Sequence, residues 1–229
     1  TSKHFITSLN VYQNSYLKGF EVFYGDVKDY CILALLPSYL ERKGSSLIYM
    51  VDDLIQKSGH SDSGFYLDDI GSLHSKLHRL NEAGQKTLLI GVSFALLDFV
   101  EKHPIELQNT IIMETGGMKG RRKEWTRSEL HSVYKKSFNV TSIHSEYGMT
   151  ELLSQAYSKG NGIFESPEWL KIRTRPFNEP FSKMNIGSTG VIKIIDLANV
   201  YSCAFIETAD VGKVYQNGSF EILGRIDFE

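Results

Sequence analysis

The stretch TLLIGVSFALLDFVEKHPIELQNTIIM at positions 87–113 decides the fold class of this 229-residue chain. Residues 87–90 form a short apolar run, which is typical of a strand buried on both faces of a parallel sheet. A helix is predicted to follow, because Ser93 is a good capping residue, and to stop before Pro104. A second apolar run at 110–113 comes next. Strand, helix and strand in this order indicate a parallel α/β unit.

The same alternation extends on both sides of that stretch. Apolar residues recur at helical spacing over residues 5–23, 70–80 and 126–138, and the last segment opens with the capping-box pattern TRSE. A further helix is predicted over residues 45–57, and further strands are predicted over residues 30–36 and 140–144. We therefore expect an α/β fold whose mostly parallel sheet is flanked by helices, forming a lobe over residues 1–158.

The pattern changes after residue 158, where helical periodicity fades and glycine and proline become more frequent. Runs at 190–195 and 201–206 are typical of strands. Asn217-Gly218 lies between two further short runs and is the strongest short-range signal for a hairpin. We predict that residues 159–229 form a smaller, antiparallel β region.

The composition excludes several classes of protein. With 41% hydrophobic residues the chain can bury a sizeable core, which excludes a disordered protein. No run approaches the ~20 apolar residues that span a bilayer. The formal net charge of −2 argues against a nucleic-acid-binding surface. The one dense basic cluster, residues 119–123, is interpreted as a solvated loop, with contact to phosphates or an acidic partner as the alternative.

The two cysteines, Cys31 and Cys203, are far apart in the sequence and lie in apolar runs that we predict to be buried strands. A disulfide scaffold and a cysteine zinc site are therefore excluded. This pattern fits a reducing compartment, and we expect a cytoplasmic protein. The seven histidines show no metal-ligand spacing.

Four polar clusters follow strand-like segments or lie in turns, which is where open α/β sheets bind ligands. Their sequences are ETGG at 114–117, EYGMTE at 146–151, TAD at 208–210 and GRID at 224–227. We consider a functional and a purely structural interpretation of each cluster.

The first two clusters supply groups suited to a nucleotide. Gly116 and Gly117 allow a flat ring or a phosphate to approach the backbone, or they form an ordinary turn. Tyr147 can stack on a base, Thr150 can donate to a phosphate oxygen and Glu151 can bind Mg²⁺. The alternative is a helix start capped by Thr150, with Glu151 at its positive end.

The last two clusters supply groups suited to a sugar. Asp210 can accept two hydrogen bonds from a ribose diol, and Arg225 can donate to the same sugar or to a phosphate. The structural alternative is a turn aspartate and a surface arginine. Taken alone, the chemistry of either cluster does not identify a ligand.

Together and in this order, the four clusters resemble the signatures of the adenylate-forming enzymes, the superfamily of acyl-CoA synthetases and luciferases. The fuller sequences ETGGMKGRR at 114–122 and SEYGMTEL at 145–152 are most similar to the branch of bacterial luminescence acyl-protein synthetases and phenylacetate-CoA ligases. The resemblance implies that Gly116 and Gly117 line the adenine of ATP or AMP. It also implies that Glu146 and Tyr147 lie beside this adenine.

The resemblance implies roles for the remaining residues as well. Thr150 would contact the α-phosphate and Glu151 would bind Mg²⁺, and these two are the candidate catalytic residues. Asp210 and Arg225 would hold the ribose. Asp227 would be the hinge to a small C-terminal domain.

The implied reaction is carboxylate activation. A carboxylic-acid substrate attacks the α-phosphorus of ATP to give an acyl-adenylate and pyrophosphate, and a thiol then takes the acyl group. That thiol would belong to coenzyme A or to a cysteine of an acyl-accepting protein. The first step requires positioning and charge neutralisation but no nucleophile from the protein.

This sequence departs from the family pattern in three places. The phosphate loop of the family would precede Thr1, the small domain would follow Glu229, and the usual Thr-Gly-Asp is Thr-Ala-Asp here. We therefore expect a fragment of the large N-terminal domain that is inactive on its own. The alternative function is a non-catalytic nucleotide-binding or protein-interaction domain with the same fold.

Overall fold

The computed structural model describes residues 3–37, 44–116, 125–179, 181–182 and 184–226. Within them lie the strands β1 Cys31–Leu35, β2 Gly64–Phe65, β3 Thr87–Val92, β4 Thr110–Thr115, β5 His144–Tyr147, β6 Ala156–Ser158, β7 Ile163–Glu165, β8 Leu170–Arg175, β9 Gly190–Asp196, β10 Phe205–Val214 and β11 Phe220–Arg225. The helices are α1 Leu9–Tyr24, α2 Ser46–Ser58, α3 Ile70–Glu82, α4 Ser93–Lys102 and α5 Arg127–Phe138. None of these helices combines the length and hydropathy needed to cross a membrane.

The strands form one sheet in the order β2-β1-β3-β4-β5-β6-β7-β11-β10-β9-β8. The first five of these are parallel neighbours, with Cys31 beside Thr87, Thr87 beside Thr110 and Met113 beside His144. Strands β1 and β3 are buried along their whole length in the main apolar core, which explains their continuous apolar sequences. The predicted α/β fold with a parallel sheet and flanking helices is confirmed.

From β5 onwards every neighbouring pair is antiparallel, as the sequence predicts for the second part of the chain. The Asn217-Gly218 signal is also confirmed, because β10 and β11 pair across it, with Val214 beside Phe220. A second apolar cluster, which includes Phe164 and Phe220, forms the core of this region. The sheet runs without a break past residue 158, and the predicted domain boundary there stays a prediction.

Several predictions at the ends of elements are wrong. The strand predicted over residues 140–144 begins only at His144 and continues to Tyr147, as β5. Helix α1 begins at Leu9, and Phe5 is 86% exposed outside it. The run at 201–206 is a strand only from Phe205, because the preceding residues form a turn in which the amide of Ser202 donates to the Asn199 carbonyl oxygen. Cys203 is therefore exposed rather than buried, whereas Cys31 is buried as predicted.

Helix α4 is capped differently from the prediction. Val92 occupies the N-cap position, and Ser93 is already the first residue of the helix. The hydroxyl of Ser93 donates instead to Oε2 of Glu114, 3.3 Å away, and to the Gly116 carbonyl oxygen, 3.4 Å away. Ser93 therefore connects the start of α4 to the end of β4, where the first polar cluster lies.

A close backbone approach makes Gly212 sensitive to substitution. A Cβ atom there would overlap the backbone oxygen of Glu221 and lie 2.9 Å from Cδ1 of Ile192. We expect Gly212→Ala to lower the free energy of unfolding by about 1–3 kcal/mol, because the Glu221 backbone oxygen cannot move without disturbing the sheet. Urea unfolding measures this loss.

Gly224 provides the matched control on the same hairpin. A Cβ atom at Gly224 meets nothing within 4 Å, and its φ lies outside the left-handed region. Gly224→Ala should leave stability unchanged or raise it by up to ~1 kcal/mol, through the lower entropy of the unfolded chain. Equal unfolding midpoints for the two variants would show that the Gly212 contact is not a constraint.

Candidate functional site

Two polar clusters meet at the carboxyl ends of β4 and β5. These strands are parallel neighbours, and Thr115 lies directly beside Glu146 in their register. Gly116 follows β4 with a φ of 69°, a left-handed conformation that a glycine adopts without strain. The predicted adenine residues Gly116, Glu146 and Tyr147 are therefore close together, while Gly117 lies outside the described residues.

Asp210 and Tyr147 are in direct contact, although 63 residues separate them in the sequence. Tyr147 Oη donates to Oδ2 of Asp210 over 2.7 Å. Nε of Arg225 lies 3.1 Å from the other carboxylate oxygen, because Asp210 and Arg225 are directly opposite each other on β10 and β11. Three of the four predicted clusters thus converge on one carboxylate.

The charges and burial around Tyr147, Asp210 and Arg225 determine which of their atoms donate and which accept hydrogen bonds. Burial and the Asp210 carboxylate both raise the pKa of Tyr147 well above its usual range, so its hydroxyl keeps the proton that it donates. An ionised carboxylate offers about four lone-pair positions, and Tyr147 and Arg225 use two of them. These two contacts therefore leave two lone-pair positions of the Asp210 carboxylate unused.

The Tyr147 ring is part of the second apolar cluster. It contacts Phe164 and Phe220 edge to face, with ring centroids 5.9 and 5.7 Å away. These contacts hold the ring so that its hydroxyl reaches Asp210. Stacking of Tyr147 on a base stays a prediction.

Glu146 lies at the junction of β4 and β5, where it is half-buried. Oγ1 of Thr115 donates to Oε2 of Glu146 over 2.6 Å. A Cβ atom at Gly148 would overlap Oε1, so the glycine makes room for the carboxyl group. Burial raises the pKa of Glu146 to about 7, against the opposing effect of the Thr115 hydrogen bond. The carboxyl group is therefore poised to donate as well as accept near neutral pH.

Thr150 and Glu151 lie in a turn after β5 and not at the start of a helix, so the alternative interpretation of this cluster as a helix start is wrong. Thr150 is exposed and Glu151 is half-buried. The described residues contain no group of three or more His, Cys, Asp or Glu side chains suited to a metal ion. Mg²⁺ commonly binds one or two carboxylates together with substrate phosphates, so Glu151 fits that ion as one ligand.

A buried carboxylate supports the end of β4 behind these residues. Glu114 is 4% exposed, and its Oε1 accepts hydrogen bonds from His131 (2.9 Å), Ser145 (3.1 Å) and Arg127 (3.2 Å). Burial alone would raise the pKa of Glu114, but the hydrogen bond and charge of His131, with the charge of Arg127, outweigh it and lower the pKa. Arg127 also donates to the Ile222 carbonyl oxygen of β11, 3.4 Å away.

Solved structures with the same fold include ATP-bound MatB from Rhodopseudomonas palustris, at 15% identity and a TM-score of 0.69 over 94% of this chain and 44% of that one. McyG A-PCP complexed with phenylalanyl-adenylate matches at 14% identity and a TM-score of 0.68, over 94% and 43% of the two chains. The O-succinylbenzoate coenzyme A synthetase MenE from Bacillus subtilis matches at 16% identity and a TM-score of 0.60, over 95% of this chain and 48% of that one. This chain has the fold of the adenylate-forming ligases.

The chain spans less than half the length of these three ligases. No protein-family model matches the sequence, and no curated protein matches it either. At these identities the likeness concerns the fold alone. The arrangement of the site residues is therefore inferred only from the contacts within this chain.

Some residues singled out from the sequence lie outside the described part of the chain, and the sequence analysis missed others. Asp227 and the basic cluster 119–123 lie outside the described residues. Sequence reasoning missed the role of Glu114, although a carboxylate within the apolar segment TIIMET is itself a signal of a buried partner. It also missed two fully buried polar residues, Asp196 at the end of β9 and Asn199 in the turn that follows.

Proposed function

We propose that this chain is the nucleotide-binding part of an ATP-dependent, carboxylate-activating ligase. The observation that carries the proposal is the convergence of Tyr147 and Arg225 on Asp210, which keeps two acceptor positions for a ribose diol. The adenine would lie against Gly116 beside Glu146 and Tyr147. The shared fold with MatB, whose structure was solved with ATP bound, supports the binding of a nucleotide.

The proposed reaction gives a role to Thr150, to Glu151 and to the thiol that accepts the acyl group. The substrate carboxylate oxygen bonds to the α-phosphorus of ATP while the bond from that phosphorus to the bridging oxygen of pyrophosphate breaks. Thr150 would donate to the α-phosphate, and Glu151 would hold the Mg²⁺ that neutralises the phosphates. A thiol, of coenzyme A or of a protein cysteine, would then displace AMP from the acyl carbon and lose its proton.

Nucleotide binding tests this proposal, because the chain spans less than half of the ligases that share its fold. Isothermal titration calorimetry with AMP and with ATP plus Mg²⁺ should detect one site per chain. The control ligand is 2′,3′-dideoxy-ATP, which lacks the two hydroxyl groups that would donate to Asp210. It should bind at least tenfold more weakly than ATP. No heat with AMP or ATP, or equal affinities for ATP and the dideoxy analogue, would refute the proposed site.

A further inference from the structure

We propose that Asn199 is a positioning residue that fixes the backbone of Glu151 for Mg²⁺, an inference that rests on the nucleotide-binding function proposed above. Asn199 is fully buried and lies in the short helical turn Leu197–Asn199 after β9. Its Nδ2 donates to the carbonyl oxygen of Glu151 over 2.7 Å. The side chain thus holds the main chain of the proposed metal ligand and leaves the Glu151 carboxylate free to bind.

Asp196 anchors the segment that follows Glu151. Its buried carboxylate accepts hydrogen bonds from the amides of Leu153 (2.9 Å) and Ser154 (3.1 Å) and from the Ser154 hydroxyl (2.6 Å). It also accepts from the amide of Ala198 over 3.1 Å, which caps the turn that carries Asn199. One buried carboxylate therefore fixes the segment after Glu151 and the turn that contacts Glu151.

The side-chain oxygen of Asn199 contacts His4, near the beginning of the described chain. Nε2 of His4 lies 3.1 Å from Oδ1 of Asn199, and Ser202 Oγ donates to the same oxygen. Because an amide oxygen only accepts hydrogen bonds, Nε2 of His4 must be the donor. Asn199 thus joins the segment that begins at Lys3 to the carbonyl of Glu151 through a single side chain.

A fixed main chain matters more for Mg²⁺ than for the base and the sugar. Mg²⁺ requires nearly ideal octahedral geometry, so a small displacement of a carboxylate ligand weakens its binding. Partners that hydrogen-bond to a ligating side chain contribute about 10–100-fold to metal affinity, and we expect a contact to the main chain of the ligand to lie at the lower end of that range. AMP binding, by contrast, would depend on Asp210 and its neighbours. Loss of the Asn199 contact should therefore affect the contribution of Mg²⁺ to ATP binding and spare AMP.

The test compares ATP affinity with Mg²⁺ and with EDTA in three forms of the chain. Asn199→Asp removes the donor to Glu151 and keeps the acceptor that His4 and Ser202 contact. Ser202→Ala is the matched control, since it changes the Asn199 environment without removing the Nδ2 donor. We expect the gain in ATP affinity from Mg²⁺ to fall about tenfold in Asn199→Asp, and AMP affinity to stay within twofold in both variants.

Amide hydrogen exchange provides a readout that needs no nucleotide. Exchange over residues 148–155 should become faster in Asn199→Asp, while β9 and β10 keep their protection. If Asn199→Asp does not fold, Asn199→Ser also withdraws the Nδ2 donor, and Ser202→Ala then controls for the loss of the hydrogen bond from Ser202 to Asn199.

The outcomes separate this inference from the function on which it rests. If the unmodified chain binds neither AMP nor ATP, the proposed function fails, and the inference about Mg²⁺ fails with it. If the unmodified chain binds both but Asn199→Asp keeps the full gain from Mg²⁺, only the inference is overturned. It is also overturned if AMP affinity and protection throughout the chain decline together, since that result indicates a general structural role.

Discussion

Replacing Asp210 with alanine is expected to weaken the binding of AMP and of ATP by at least ~100-fold. The variant removes the acceptor of two hydrogen bonds from the ribose, each worth about 1.5–3 kcal/mol when one partner is charged. A combined loss of about 3 kcal/mol corresponds to roughly 100-fold in affinity. Calorimetry measures the loss, and Tyr147→Phe should weaken binding by only about fivefold to tenfold, because it withdraws one hydrogen bond from Asp210.

A matched control for these variants lies at the other end of the β10–β11 hairpin. There Tyr215 Oη donates to Oε1 of Glu221 over 2.7 Å, and Nζ of Lys213 lies 3.7 Å from the same oxygen. This group has the same three kinds of side chain as Tyr147, Asp210 and Arg225. Tyr215→Phe and Glu221→Gln should change nucleotide affinity by less than twofold. A comparable loss from Glu221→Gln would show that the Asp210 effect comes from the stability of the hairpin and not from ribose binding.

The sequence predicted those elements that depend on neighbouring residues. The capping box of Thr126 and Glu129 is present, because both of its hydrogen bonds form within one helical turn. Strand β8 was missed, although its first four residues, LKIR, alternate between apolar and charged and their burial alternates as well. Cys203 was placed in a buried strand because its apolar neighbours suggested one. The turn closed by Ser202 and Asn199 determines its exposure instead.

The contact between Tyr147 and Asp210 was easier to predict from the sequence than the buried carboxylates that support the neighbouring segments. Tyr147 and Asp210 could be expected to meet, because each follows or lies in a strand and each suits the same nucleotide. Glu114 has partners 13–31 residues away, and Asp196 has partners 42–43 residues away. No local pattern specifies such contacts, since a single buried carboxylate is compatible with many partners. The sequence did contain one unusual feature, which is the carboxylate of Glu114 within an apolar run.

The largest stability effect is expected at Glu114. We expect Glu114→Gln to lower the free energy of unfolding by about 3–5 kcal/mol at neutral pH, because it removes the only buried anion that His131 and Arg127 share in the described part of the chain. Arg127 is one-third exposed and can turn to water, which favours the lower end of that range. Ser145→Ala removes one donor and should cost about 1.5 kcal/mol. Glu168→Gln, at an exposed carboxylate, should stay within ~0.5 kcal/mol in urea unfolding.

The pH dependence of the Glu114→Gln effect identifies its cause. The pKa of Glu114 is lower in the folded state than its ordinary value of 4.5, so the unfolded chain binds more protons below that pH. The stabilisation by the carboxylate is therefore complete above pH 4.5 and is lost as the pH falls towards the folded pKa. The difference in unfolding free energy between the unmodified chain and Glu114→Gln should shrink as the pH falls below 4.5. A difference that persists unchanged at about pH 3 would mean that packing, and not the charge of Glu114, stabilises the end of β4.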